Sequence, residues 1–187
     1  MALRRVQKLS MRRLCIVSED TYGYDYLREV IKRLLDEARK KDIKRDIQIV
    51  SSKSSKNKYK PCNAKIGNIV NSLYQKCDII LVSQDADGGN TDEVKSLLIK
   101  HIQCEKCMDK IEFLIFKTEA EEWIVQSMNG IGDPEPSKYL KSKFDYDKRK
   151  LPQHVNELNF SLLCRSSDSF HELVTALGIE EFCKPVH

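Results

Sequence analysis

The sequence predicts an α/β fold in which a four-stranded, mainly parallel, Rossmann-like sheet carries helices on both faces and is followed by a C-terminal helical segment. Two observations lead there. Short apolar, β-branched runs alternate with longer segments of three-and-four apolar spacing in the order βαβαβαβα, and strands joined by helices call for crossovers and a sheet covered on both sides. Past about Met128 the strand signals stop, Gly130, Gly132, Pro134 and Pro136 break the chain, and only helical patterns remain. The expected division is an α/β domain over 12–128 and a helical extension over 129–187. The extension is too short for a large core of its own, so it should pack on the sheet domain or roof its crevice.

Taken in order, Arg13-Leu14-Cys15-Ile16-Val17-Ser18 is a strand after a basic leader, and Asp25 to Lys41 is an amphipathic helix with Tyr26, Leu27, Val30, Ile31, Leu34, Leu35 and Ala38 on one face. Asp46-Ile47-Gln48-Ile49-Val50 alternates and is β-branched, a second strand. Ile66, Ile69, Val70 and Leu73 mark a helix ending near Lys76, and Asp78–Val82 is a buried strand. Asn90 or Thr91 caps a helix bearing Val94, Leu97, Leu98 and Ile102. Ile111–Phe116 is the fourth strand, and Thr118 followed by Glu121 reads as a capping box opening another helix. Ser137–Lys143, His154–Cys164 and Ser167–Leu177 are the helices of the extension.

Composition narrows the class. No apolar run approaches the roughly 20 residues of a membrane span, and the basic start lacks the apolar core of a secretory signal, so a cytoplasmic location is the default expectation. The net charge of +4 is unevenly spread: residues 1–60 hold 17 Lys/Arg against 8 Asp/Glu, and the rest 15 against 20. The run 51–60 is the sharpest part, and Lys53, Lys56, Lys58 and Lys60 there could track a phosphate backbone, although a solvated loop has the same composition. Seven cysteines lack the rhythm of a disulfide framework. Cys15 and Cys77, in or beside strands, read as small hydrophobes. His101-x-x-Cys104-x-x-Cys107 has ligand-like spacing, but no second CxxC completes a structural zinc, so reduced thiols at a helix end compete with zinc there.

Three acidic clusters follow three of the strands: Glu19-Asp20, Asp85-x-Asp87 ahead of Gly88-Gly89, and Glu119-x-Glu121-Glu122. In a parallel sheet all three project from the carboxyl edge, where open α/β folds place their ligand crevice. Carboxylates held together repel unless a cation or a shared proton offsets them. An oxygen-only donor set suits Mg2+ or Mn2+, with phosphate oxygens completing the shell. Each cluster alone has an ordinary explanation, since acidic residues favour the first turn of a helix and Asp favours turns. All three on one edge favour a site.

A strand ending in glutamate, then a helix, then a later strand ending in Asp-x-Asp resembles the TOPRIM fold of primases, topoisomerases, OLD-type nucleases and small RNA-maturation nucleases. The segments that carry the resemblance are Cys15-Ile16-Val17-Ser18-Glu19-Asp20-Thr21 and Ile80-Leu81-Val82-Ser83-Gln84-Asp85-Ala86-Asp87. Glu121-Glu122-Trp123-Ile124, Asp133–Leu140 and Arg165–Leu173 are similar to a small TOPRIM-like family related to the OLD-type proteins, so the likeness spans roughly residues 13 to 178. The resemblance implies Glu19 as the acid/base or metal-binding glutamate, Asp85 and Asp87 as magnesium ligands, and Glu121 as an additional acidic ligand. The glycine often found after the first glutamate is replaced by Asp20, with Gly23 arriving later.

The remaining candidates are weighed on chemistry. Arg165 with Ser166-Ser167 could grip a phosphate at a helix N-terminus, unless Ser167 simply caps the helix. Trp123 reads as a buried anchor, Tyr26 as core, Tyr22 and Tyr24 as surface, and His154 and His171 as ordinary surface or core residues. The leading expectation is a Mg2+-dependent phosphodiesterase of the nuclease type acting on nucleic acid, in a defence or mobile-element setting with a partner ATPase. The alternative is a non-catalytic TOPRIM-like binding or regulatory module working with a partner protein. A topoisomerase would need a large DNA gate that this chain lacks, and neither a P-loop nor a dinucleotide fingerprint is present.

Overall fold

The computed structural model describes residues 11–50, 57–58 and 65–185. Its centre is an all-parallel sheet of β1 (Arg12–Ser18), β2 (Ile47–Ile49), β4 (Ile79–Asp85) and β5 (Ile111–Phe116) in the order β2-β1-β4-β5, with the two-residue β3 (Asn57–Lys58) beside the end of β1. β2 and β3 share one edge of β1, pairing at Arg12–Leu14 and at Val17–Ser18 respectively. Around the sheet lie α1 (Thr21–Lys40), α2 (Lys65–Leu73), α3 (Thr91–Ile102) and α4 (Glu122–Asn129). The α/β architecture expected from the alternation is therefore the one observed.

Period-two alternation sorts the strands onto two cores. Leu14, Ile16, Ile79, Leu81, Leu114 and Phe116 face α1, α4 and the C-terminal helices, whereas Cys15, Val17, Ile80, Val82, Ile111 and Ile115 face α2 and α3. The extension comprises α5 (Pro136–Phe144), a 3-10 segment Lys148–Glu157, α6 (Phe160–Ser166), α7 (Asp168–Ala176) and a last 3-10 turn Glu180–Cys183. Its Leu140, Leu151, Val155, Phe160, Leu163, Phe170 and Leu173 lie in the same buried cluster as α1 and the sheet.

Several boundaries differ from expectation for identifiable reasons. α1 starts four residues before the expected Asp25, because Asp20 caps it by accepting the Gly23 N–H at 2.7 Å. The helix expected over His154–Cys164 is two elements, since the chain is extended at Leu158 after the 3-10 segment and Asn159 caps a new helix through the Leu162 N–H. Tyr24, expected at the surface, is buried in the α1 core beside Tyr26.

The cysteines depart most from expectation. Six pair: Cys15 with Cys77, Cys104 with Cys107, and Cys164 with Cys183. Spacing along the chain could not reveal the first pair, which becomes adjacent only when β4 docks beside β1. The His101/Cys104/Cys107 spacing is a disulfide and not a cluster of free thiols. Among the described residues no group of three His, Cys, Asp or Glu side chains is drawn together as a ready-made metal cage.

Trp123 is the anchor expected of it. Its ring lies edge-on to Phe116 at 4.9 Å and to Phe170 at 5.5 Å, and its indole N–H donates to the hydroxyls of Ser167 and Ser169 at 3.1 and 2.8 Å. This network ties α4 to α7 beneath the carboxyl edge of the sheet.

Candidate functional site

The carboxyl ends of β1 and β4 deliver two of the acidic clusters to one place. Glu19 and Asp20 directly follow β1, Asp85 is the last residue of β4, and Ser18 and Ser83 are paired across the two strands. The turn after Asp85 is pinned to the end of β5: the N–H groups of Ala86, Asp87 and Gly88 donate to the carbonyls of Phe116, Thr118 and Lys117 at 2.9, 3.1 and 2.9 Å. Asp87 sits in the left-handed region at φ 48°, ahead of Gly88 at φ 78°, which is the local chemistry an Asp-Gly turn supplies. This stitching brings the start of α4, and with it Glu121, to the same corner.

A cleft of about 20 Å3, enough for about one water-sized species, is lined by Glu19, Asp20, Asp85, Gly23, Ser83 and Lys148 among others. Gly23 is required by close approach: a Cβ there would lie 2.8 Å from the Ser18 hydroxyl and 3.4 Å from the Asp20 carboxylate. The glycine that comes late in the sequence thus serves the same turn as Asp20.

The electrostatics are those of carboxylates crowded together. Burial, the Asp87 charge and Asp20 push Glu19 up to about 7, against the pull of Lys148. Burial, Glu19, Glu121 and Asp87 raise Asp85 well above the carboxylate range, again opposed by Lys148. Glu121 is fully buried and is raised chiefly by that burial. Its Oε1 accepts the Tyr146 hydroxyl at 2.7 Å, while its Oε2 and the Oε1 of Glu19 are buried with no hydrogen-bond partner among the described residues.

Two residues that sequence reasoning missed complete the arrangement. Tyr146 and Lys148 flank Asp147, whose backbone is extended, so their side chains fall on one side of the chain. Lys148 Nζ lies 3.2 Å from Asp20 Oδ2. Burial works against its charge, but Asp20, Glu121 and Asp85 outweigh that and hold the lysine above its ordinary range. Lys148 is thus the cation that these carboxylates share. The available signal was the Tyr-x-Lys pair just after a predicted helix, read together with an acid-rich sheet edge that lacks a counter-charge.

The remaining expected residues divide. The Thr118–Glu121 capping box is not formed; Glu122 takes that role, its Oε2 accepting both the N–H and the hydroxyl of Thr118 at 3.0 and 3.1 Å. That shift by one residue leaves Glu121 for the site. Glu119 accepts the Ser137 N–H at 3.2 Å. Arg165 is on the exposed side of α6, its guanidinium bonded to the Ser161 carbonyl, and it does not line the cleft. Ser167 caps α7 through the Phe170 N–H, the ordinary reading of that serine. His154 pairs with Glu157 and His171 with the Cys164 carbonyl, both ordinary structural contacts. Lys53, Lys56 and Lys60 lie outside the described residues, as does the side chain of Lys58.

In comparison with known proteins, no family model matches the chain, no curated protein matches it and no solved structure matches it. Any functional reading therefore rests on the site itself.

Proposed function

We propose that the chain is a divalent-cation-dependent phosphodiesterase of the nuclease type acting on nucleic acid, with a TOPRIM-like acidic site. The observation that carries this reading is the cleft at the carboxyl ends of β1 and β4, which Glu19, Asp85 and Lys148 line together, with the Glu121 charge felt by Asp85 and Glu19 raised to about 7. A general base works best when its pKa lies near the working pH. Glu19 is therefore suited to take a proton from water at neutral pH, or to bind a cation once ionised.

The donor set fits a hard cation. Two buried carboxylate oxygens, Glu19 Oε1 and Glu121 Oε2, have no hydrogen-bond partner among the described residues, and every candidate ligand is oxygen. Mg2+ is held in many sites by one or two carboxylates together with waters and substrate phosphate oxygens, so a closed protein cage is not needed. Glu19 and Asp85 would hold Mg2+ or Mn2+, with Asp87 and Glu121 adding negative charge. The ion would supply charge neutralisation at the phosphate. An acidic crevice repels a phosphodiester without such a cation. Lys148 contributes the positive charge already present and can turn its ammonium towards a phosphate oxygen, while Tyr146 keeps one oxygen of Glu121 hydrogen-bonded.

The non-catalytic module working with a partner protein is favoured by one specific observation. Lys148 already neutralises part of the cluster, as a cation would. No helix among the described residues is long and apolar enough to cross a membrane.

The experiment is a thermal-shift titration with Mg2+ and Mn2+. Ligands that bind only the native state raise its melting temperature, so wild type should rise and Asp85→Asn/Asp87→Asn should not. Equal shifts in both proteins would remove the metal site.

A further inference from the structure

Away from the acidic edge, α3 packs on α2 and is followed by a 3-10 turn (Glu105–Lys110) whose N-cap, Cys104, is bridged to Cys107 within it. The three disulfides differ in what they join. Cys15–Cys77, 62 residues apart, couples β1 to the chain entering β4, and Cys164–Cys183 fastens α6 to the C-terminal turn. Cys104–Cys107 spans a separation of 3 and lies within a single turn, so it fastens no two elements. A bridge closing so short a loop restricts the unfolded chain far less than one closing a long loop. The Cys107 N–H already donates to the Cys104 carbonyl at 2.9 Å, which holds this turn without the bridge.

The two sulfurs are also unequal. Cys107 is completely buried, whereas Cys104 is half-buried and opens onto a cleft of about 580 Å3 lined by Asn68, Asn71, His101, Gln103 and Lys106. Exchange at a disulfide requires an incoming thiolate to reach one sulfur while the other departs. Here the approach is open at Cys104 alone. Cys15 and Cys77 are both buried in the core between the sheet and α2; Cys164 and Cys183 are half-buried like Cys104, but that bridge closes a longer loop and joins two elements, so Cys104–Cys107 must also open ahead of it.

We propose that Cys104–Cys107 is a thiol–disulfide exchange site that accepts electrons from a dithiol reductant through the cleft beside α2. The thiolate of the reductant attacks Cys104 Sγ, forming a mixed disulfide and breaking the Cys104–Cys107 bond, so that Cys107 leaves as a thiolate and takes up a proton. The second thiol of the reductant then attacks its own sulfur in the mixed disulfide and releases Cys104. The protein gains two electrons and two protons, and the reductant becomes a disulfide. Nothing in this step involves the acidic site, so it stands or falls apart from the phosphodiesterase reading.

The test equilibrates the folded full chain with graded dithiothreitol, alkylates free thiols and maps them by peptide mass. Cys104 and Cys107 should be alkylated together at reductant concentrations at least about tenfold below those that open Cys15–Cys77, with the far-ultraviolet circular dichroism unchanged. Opening only together with Cys15–Cys77, or alkylation of both cysteines without reductant, overturns the proposal. Direction is read from single variants treated with glutathione disulfide. Cys107→Ser should carry glutathione on Cys104, and Cys104→Ser should leave Cys107 unmodified. Equal adducts on both variants, or none on the first, contradict attack through the cleft.

Discussion

Glu19→Gln should stabilise the protein at alkaline pH while leaving it unaffected in acid. Glu19 rises from an ordinary 4.5 to about 7 on folding, mainly through burial. A carboxyl raised in this way contributes stability that is complete below pH 4.5 and is lost as pH climbs through 7. For a fully buried group the loss would be about 3.4 kcal/mol; Glu19 is half-buried, and solvent screening reduces it to roughly 1–2 kcal/mol. Glutamine keeps the shape without the charge, and it relieves Asp85, which the Glu19 charge also raises. Thermal melts at pH 5 and pH 8 in the presence of a chelator are the assay. For a chain of this size the variant should melt about 2–8 °C above wild type at pH 8 and level with it at pH 5. A variant melting at or below wild type at pH 8 would mean that Lys148 keeps Glu19 ionised, and the argument for a poised base would fail.

Lys148→Met removes the cation shared by Asp20, Asp85 and Glu121; the lysine is 44% exposed, so after solvent screening the variant should lose about 0.5–1 kcal/mol at pH 8 and less at pH 5, measured by urea unfolding at both values. Ser169→Ala breaks its bonds to the Trp123 indole and to Glu122 Oε1, both buried, and should cost about 1–3 kcal/mol, followed through the fluorescence of the single tryptophan.

Much of this was legible in the sequence, and the limits are physical. Strand ends are marked by where an apolar run stops, so the sequence alone puts Glu19 and Asp85 at one edge. Glu121 was legible as well, through the third acidic cluster and the resemblance, whereas the capping-box role read for it falls to Glu122. Tyr146 and Lys148 were not, because they reach the site from an extended stretch of a few residues with no periodicity. The Cys15–Cys77 bridge was hidden for a related reason: adjacency across parallel strands depends on register, which no local pattern records. Asp20 shows the opposite case: it stands where the motif that the sequence resembles often has glycine, and here it serves as helix cap and as partner of Lys148.

Cleavage is the most direct test of the central claim. Single-stranded, duplex and structured DNA and RNA are incubated with wild type and with Glu19→Gln in the presence of Mg2+ or Mn2+, and binding is measured in parallel. Wild type should cut at least one of these substrates, and Glu19→Gln should bind it equally well while losing on the order of a hundredfold or more in rate. Equal cleavage by both proteins, or none by a wild type that binds both metal and nucleic acid, would contradict the account.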